Sequence, residues 1–234
     1  MAKSLLKVSD YIEPFLIKMI VAAHQPNYLP NLAFFNKMAK ADLFVIITNL
    51  QFEKQEGWQQ RHKIPGPNGD IWLTVPVLGS QNQLIKEVKI NQKLPWQRKH
   101  TRTLGTVYSK TKEKKALEEI IKLYQKDWKR LVDLNVSLIL LLKKILDIKT
   151  PVVVDEDVSG VKHTLIINVC KSHGADIYLS GVGAKLYLDE ERLEELKKNN
   201  IEHRIVEKNL TALYPYSTVH YLLAEGKDWV LNAI

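Results

Sequence analysis

The chain has 234 residues, of which 45% are hydrophobic and 26% charged, with a formal net charge of +8. That balance fits a folded chain with one sizeable core and excludes a disordered or fibrous one. A single cysteine, Cys170, excludes an intramolecular disulfide and a cysteine-only zinc site, and fits the reducing cytoplasm best.

Residues 1–17 read as an extra N-terminal helix ahead of an α/β domain at 18–234. The apolar stretch ending at Ala22 and Ala23 imitates a signal peptide, but Asp10, Glu13, Pro14 and Lys18 interrupt it. Residues 19–23 form a short apolar run with β-branched members, the pattern of a strand buried on both faces of a parallel sheet. After Pro26 and Pro30, apolar positions 32, 34, 35, 38, 39 and 41 predict a helix packed on that sheet, and residues 43–47 a second buried strand. Strand, loop, helix and strand make a βαβ unit.

Turn-forming residues crowd 57–70, so an exposed loop is expected there. Residues 72–77 and 85–90 then read as strands of a hairpin-like insertion, and 96–146 as two or three helices, one of them spanning 128–146. Residues 151–154, 177–179 and 202–206 read as strands alternating with helices at 162–172 and 190–199. The fold expected is a mainly parallel, doubly wound, Rossmann-like α/β sheet with a β-hairpin and a helical insertion. The stretch 131–146 falls short of the roughly 20 apolar residues a bilayer span needs, so no membrane segment is expected.

The net charge favours anionic small molecules. Its lysines and arginines cluster at 110–115, 122–130 and 143–149, among acidic residues and without regular aromatics. That pattern reads as solvated helical faces, and nucleic acid is not expected as a partner. A homo-oligomer stays open.

Ligands of open α/β sheets bind outside the carboxyl ends of the strands. Those ends carry His24, Gln25, Asn27 and Tyr28 on the first strand, and Thr48, Asn49 and Gln51 on the second. Later strands end in Asp155 and Glu156, and in Ser180, Gly181 and Gly183. His24 is either a general base with an ordinary near-neutral pKa or a structural cap of its strand. Pro26 and Pro30 stiffen the loop between them; Gln25 and Asn27 suit hydrogen bonding to hydroxyl, amide or base edge, or else form an ordinary turn. Arg61, Lys63 and Lys162 are candidate anion clamps or solvated surface. His163, Cys170 and His173 lie along one helical stripe without a fourth ligand, so no metal site is expected. No Walker sequence, complete dinucleotide fingerprint or G-x-S-x-G elbow is present, and no cofactor is evident beyond a nucleotide or nucleotide-linked donor.

The stretch AAHQPNYLPNLAFFNKMAKADLFVI at 22–46 resembles the opening signature of the WbqC-like family. The likeness continues through NLQF at 49–52, WQQRHKI at 58–64, WLTVPV at 72–77, PWQRKH at 95–100, DLN at 133–135 and GADIYLSGVGAKLYLD at 174–189. It implies a place in surface-polysaccharide or O-antigen biosynthesis and a transferase that moves an acyl or aminoacyl group onto a nucleotide-linked amino sugar. The rival implication is a non-catalytic protein that binds a nucleotide or nucleotide sugar. Asn31 stands where the family's pattern has Trp, Ala33 where it has Gly, and Thr48 with Asn49 where it has an acidic pair. The strand, loop, helix, strand order also resembles the nucleotidylyltransferase superfamily, whose two-histidine signature is missing because Leu29, Pro30, Asn31 and Leu32 occupy that region.

Overall fold

The computed structural model describes residues 18–53, 57–79 and 82–234. The helix expected over residues 1–17 lies outside the described residues. The first buried run forms β1 (Ile20–His24) and the second β2 (Leu43–Ile47), with α1 (Leu32–Ala39) between them. Asn31 begins that helix by accepting a hydrogen bond from the Phe34 amide at 3.3 Å. The last third supplies β7 (Val152–Asp155), α5 (His163–His173), β8 (Ile177–Ser180), α6 (Glu190–Lys198) and β9 (Glu202–Ile205). These five strands form one parallel sheet in the order β7-β2-β1-β8-β9.

Alternation along the strands divides the core into two layers. Val21, Ala23, Val45, Ile47 and Tyr178 face α5 and α6, where Ile166, Val169, Cys170 and Leu196 cover them. Ala22, Phe44, Ile46 and Leu179 face the opposite side, against Phe34, Phe35 and Met38 of α1 and a helical block beyond it. That block is α2 (Trp96–Val107), α3 (Lys114–Tyr124) and α4 (Leu131–Ile145). Both faces are covered, which is why β1, β2 and β8 are apolar along almost their whole length.

The insertion differs from the sequence reading. Residues 61–66, expected in an exposed loop, form β3 (Arg61–Gly66), which pairs antiparallel with β4 (Gly69–Thr74). Only the tip at 67–68 is a turn, and Gly69 there adopts φ +114, a conformation suited to glycine. His62 and Ile64 alternate into the core while Arg61 and Lys63 stay partly exposed; this period-two pattern is what places the stretch in a sheet. Of the strand expected at 85–90, only β6 (Lys89–Ile90) forms, paired with β5 (Val77–Leu78), and Ile85–Glu87 is a 3-10 turn. After β9 the chain adds α7 (Leu210–Leu213), α8 (Thr218–Glu225) and α9 (Lys227–Ala233), which the sequence reading left unassigned. The amides of Thr218 and Ser217 bond the carbonyls of Pro30 and Lys63, tying this end of the chain to the loop after β1 and to the hairpin.

A buried asparagine joins the insertion to the sheet. Asn135 of α4, with 0% exposure, donates through Nδ2 to the carbonyls of Pro26 at 2.8 Å and Gln59 at 2.7 Å. Replacing it as Asn135→Leu keeps the volume but strands two buried carbonyls, and should lower stability by about 2–4 kcal/mol. Urea denaturation checks this; a loss under about 0.5 kcal/mol, the range of ordinary surface changes, would contradict it.

Candidate active site

In chain order the sheet's strands run outward from β1 to β2 and β7 on one side, and through β8 to β9 on the other. The order reverses between β1 and β8, and a crevice opens there at the carboxyl ends. A cleft of about 570 Å³ occupies that place, a volume suited to a small-molecule ligand. Its walls come from the end of β1 and its loop (His24, Gln25, Asn27), the start and cleft side of α1 (Asn31, Lys37), the hairpin entry (Trp58, His62), the start of α5 (Lys162), the end of β8 (Ser180, Gly181, Gly183), and Lys208 with Thr211 after β9.

The loop after β1 is held from beneath. Beyond Asn135, the Tyr28 amide donates to the Trp58 carbonyl at 2.8 Å. The Tyr28 hydroxyl, fully buried, bonds His100 Nδ1 at 2.8 Å and also the Tyr124 hydroxyl. Leu29 closes the loop at φ +44, a left-handed conformation that costs a non-glycine residue energy and persists only because its surroundings fix it. The side-chain oxygen of Asn27, buried in the cleft wall, has no partner among the described residues.

His24 sits at the tip of β1 with its ring edge-on to Phe34, centroids 5.1 Å apart. Its Nδ1 lies 2.9 Å from the Gln25 carbonyl, which can only accept, so Nδ1 carries the hydrogen and Nε2 keeps its lone pair. Burial, with help from the nearby Lys37 charge, lowers its pKa to about 3, against a smaller opposing effect of the Gln25 bond. This corrects the expectation of a near-neutral imidazole: His24 is unprotonated throughout the physiological range.

The titrating neighbour is Lys37, which the sequence reading missed. It is 6% exposed, donates to the Ala23 carbonyl at 2.8 Å and lies 5.9 Å from the Phe44 ring centroid. Among the described residues no carboxylate pairs with it, and burial lowers its pKa to about 7. Its position was readable: 34, 37, 38 and 41 are one apolar stripe of a helix, and a lysine inside it is the anomaly. Lys37, Lys162 and Lys208 all line the cleft, and the described lining includes no aspartate or glutamate.

The other expected residues lie elsewhere. Tyr28 is a buried support beneath the loop, outside the lining. Gln51 pairs with Leu84 in an isolated bridge. Arg61 stacks on Trp72, with Cζ 4.8 Å from the ring centroid, and Lys63 pairs with Asp70 at 2.7 Å. Asp155 ends β7 at the same edge of the sheet but turns away from the cleft. It caps the Asp157 and Val158 amides at 2.9 and 2.7 Å and bonds His173 Nε2 at 2.9 Å. Burial works to raise its pKa, yet these bonds hold it below the usual carboxylate range. Thr48 and Asn49 donate to the carbonyls of Asp155 and Asp157, so this pair stitches the end of β2 to the end of β7 and the loop after it. Missed as well were Trp58, His62 and His203, brought to or behind the cleft by pairings distant in sequence.

The fold and cleft define an α/β protein with a lysine-lined crevice at the switch point of a parallel sheet. The profile of the WbqC-like protein family matches residues 25–222, and the chain belongs to that family. A protein of Mycobacterium tuberculosis described as uncharacterized is 30% identical over 182 residues, covering 75% of this chain and 78% of its own length. No solved structure matches the chain. Among the described residues no helix is long and apolar enough to cross a membrane.

An unpaired buried cation should cost stability. With its pKa depressed from 10.5 to about 7, Lys37 binds its proton less readily in the folded chain than in the unfolded one. The penalty is therefore full below pH 7 and fades as pH rises toward 10.5. Lys37→Met should stabilise the free protein by roughly 3–5 kcal/mol at pH 7, and the gain should shrink by pH 10. Thermal or urea unfolding at both pH values checks this; a destabilised Lys37→Met would show that the amine is a structural member of the core.

Proposed function

We propose that the protein is a cytoplasmic transferase of surface-polysaccharide biosynthesis that moves a small acyl or aminoacyl group onto the amino group of a nucleotide-linked sugar. The observation that carries the reading is the charge of the cleft: three lysines, one of them buried without a counter-ion, and no carboxylate among the described lining residues. Such a wall suits a diphosphate and disfavours a divalent cation. The resemblance of the sequence to the family supplies the sugar context.

In this reading Lys37, Lys162 and Lys208 hold the phosphates, and the amides of Gln25 and Asn27 orient sugar hydroxyls. His24 Nε2 accepts a hydrogen bond from the attacking amine and aims its lone pair. The amine nitrogen attacks the carbonyl carbon of an activated acyl group, the new C–N bond forms, and the bond to the donor's leaving group breaks. The leaving group departs with the electron pair, and the proton shed by nitrogen goes to it. Because His24 stays unprotonated near neutrality, the limb at pH 6–7 expected of an ordinary imidazole should be absent from its contribution.

A binding protein without turnover is the second reading, favoured by the use of Thr48 and Asn49 as strand-linking donors where an acidic pair was expected. Incubation with nucleotide-linked amino sugars and activated acyl donors separates the two by mass spectrometry. The transferase predicts a sugar heavier by one acyl group, whereas retention of the nucleotide sugar without a mass change across a broad panel supports the binder. In calorimetry, Lys162→Ala or Lys208→Ala should weaken nucleotide-sugar binding by about 1 kcal/mol each, since both lysines are exposed. Arg61→Ala, outside the cleft, should change nothing; a loss with Arg61→Ala equal to that with Lys162→Ala would move the anion site to the hairpin.

A further inference from the structure

The end of β8 carries a pair of side chains that the reading above leaves unused. Ser180 is the last residue of the strand, 3% exposed, and belongs to the cleft wall. Its Oγ lies 2.9 Å from Nε2 of His203 on the neighbouring strand β9. Parallel pairing of Tyr178 with His203 and Ser180 with Ile205 fixes this approach, so the contact is set by backbone register rather than by a mobile loop. Tyr187 also belongs to the cleft wall. Beyond Ser180 the backbone faces open space, because a Cβ added at Gly181 or Gly183 would meet nothing within 4 Å. The cleft is thus unobstructed at the two glycines that follow the hydroxyl.

From this geometry we infer that Ser180 is a nucleophile, activated by His203, that carries the acyl group covalently between donor and acceptor. The inference rests on the acyl-transfer reading and divides it into two steps. A hydroxyl and an imidazole nitrogen at 2.9 Å lie within the range that nucleophile and base require. A base must be neutral at rest, and burial lowers the His203 pKa below that of an ordinary imidazole. For that role Nε2 accepts the Ser180 hydrogen and Nδ1 carries the other; among the described residues no carboxylate bonds Nδ1. The pair is therefore a dyad, without the third member that orients the base in a triad.

In the first step Ser180 Oγ attacks the carbonyl carbon of an activated ester or thioester while its proton passes to His203 Nε2. The bond to the leaving oxygen or sulfur breaks, and that atom takes the proton from His203, leaving an acyl ester on Ser180. In the second step the acceptor amine, held by His24, attacks the same carbon. A C–N bond forms, the bond from carbon to Ser180 Oγ breaks, and the amine proton returns through His203 to restore the hydroxyl. No oxidant, reductant or metal enters the balance.

The test uses p-nitrophenyl acetate, an activated ester that needs no knowledge of the natural donor, on the full chain without acceptor. The expected result is a burst of p-nitrophenolate stoichiometric with protein, and one acetyl group on the peptide containing Ser180. Ser180→Ala should abolish both, and His203→Gln should slow the burst by about 100-fold or more; Ser180→Cys should still be acetylated. Melting curves matching wild type show that the variants are folded. Acetyl groups on lysines alone, or a burst that survives in folded Ser180→Ala, would overturn the inference. Transfer to an amino sugar that persists in Ser180→Ala would also overturn it while sparing the function proposed above. Acetylation of Ser180 without transfer to any nucleotide-linked amino sugar would sustain the nucleophile and remove the acceptor.

Discussion

Asn135 is the constraint on which the site depends. Its amide donates to carbonyls on two segments that share no secondary structure: Pro26 in the loop after β1, and Gln59 at the entrance to the hairpin. Each of those carbonyls would otherwise be a buried acceptor in an apolar surround, so the amide stabilises the pair together and fixes their separation. The Tyr28 amide bonded to Trp58 and the Tyr28 hydroxyl bonded to His100 and Tyr124 complete the clamp. His24, Gln25 and Asn27 thereby face Trp58 and His62 across one cleft, on a loop pressed against the helical insertion. The long insertion between β2 and β7 is thus the base of the site.

On that base the chain places groups that oppose its own stability. A lysine buried without an anion, an unpartnered amide oxygen at Asn27 and a left-handed Leu29 each cost energy in the free protein. Structural residues relieve such costs locally, as Lys63 does with Asp70 and Asp155 with His173. Lys37 does not. Its cost is one that a bound anion would remove, which is why the proposed function places the ligand's charge there, beside an imidazole that burial keeps neutral.

The sheet was legible in the sequence because parallel strands covered on both faces are unbroken apolar runs; 19–23, 43–47 and 177–179 each lie within two residues of the observed strand bounds. The hairpin was not, since the Pro-Gly-Pro-Asn-Gly cluster at its tip masked the alternation of His62 and Ile64 just before it. The residues following β1 were singled out by the switch-point rule, and that rule found His24, Gln25 and Asn27 in the cleft. It also gathered Gln51 and Asp155, because it identifies a sheet edge and not which side chains turn inward along it. Asp155 turns away toward His173, a partner on a helix whose angle to β7 no local pattern encodes. His203 escaped for a similar reason: only the register of β8 against β9 brings it to Ser180.

The central claim is that Lys37 holds the negative charge of the ligand, and the pH dependence of binding tests it most directly. Calorimetric titration of a uridine-diphosphate amino sugar from pH 6 to pH 9 should show a constant affinity below about pH 7. Above it the ligand must recruit the missing proton, so affinity should fall by up to about tenfold per pH unit. In Lys37→Met the affinity should be weaker and that slope should vanish. Affinity that is level across the whole range in the wild type, or a slope that survives in Lys37→Met, would contradict the account.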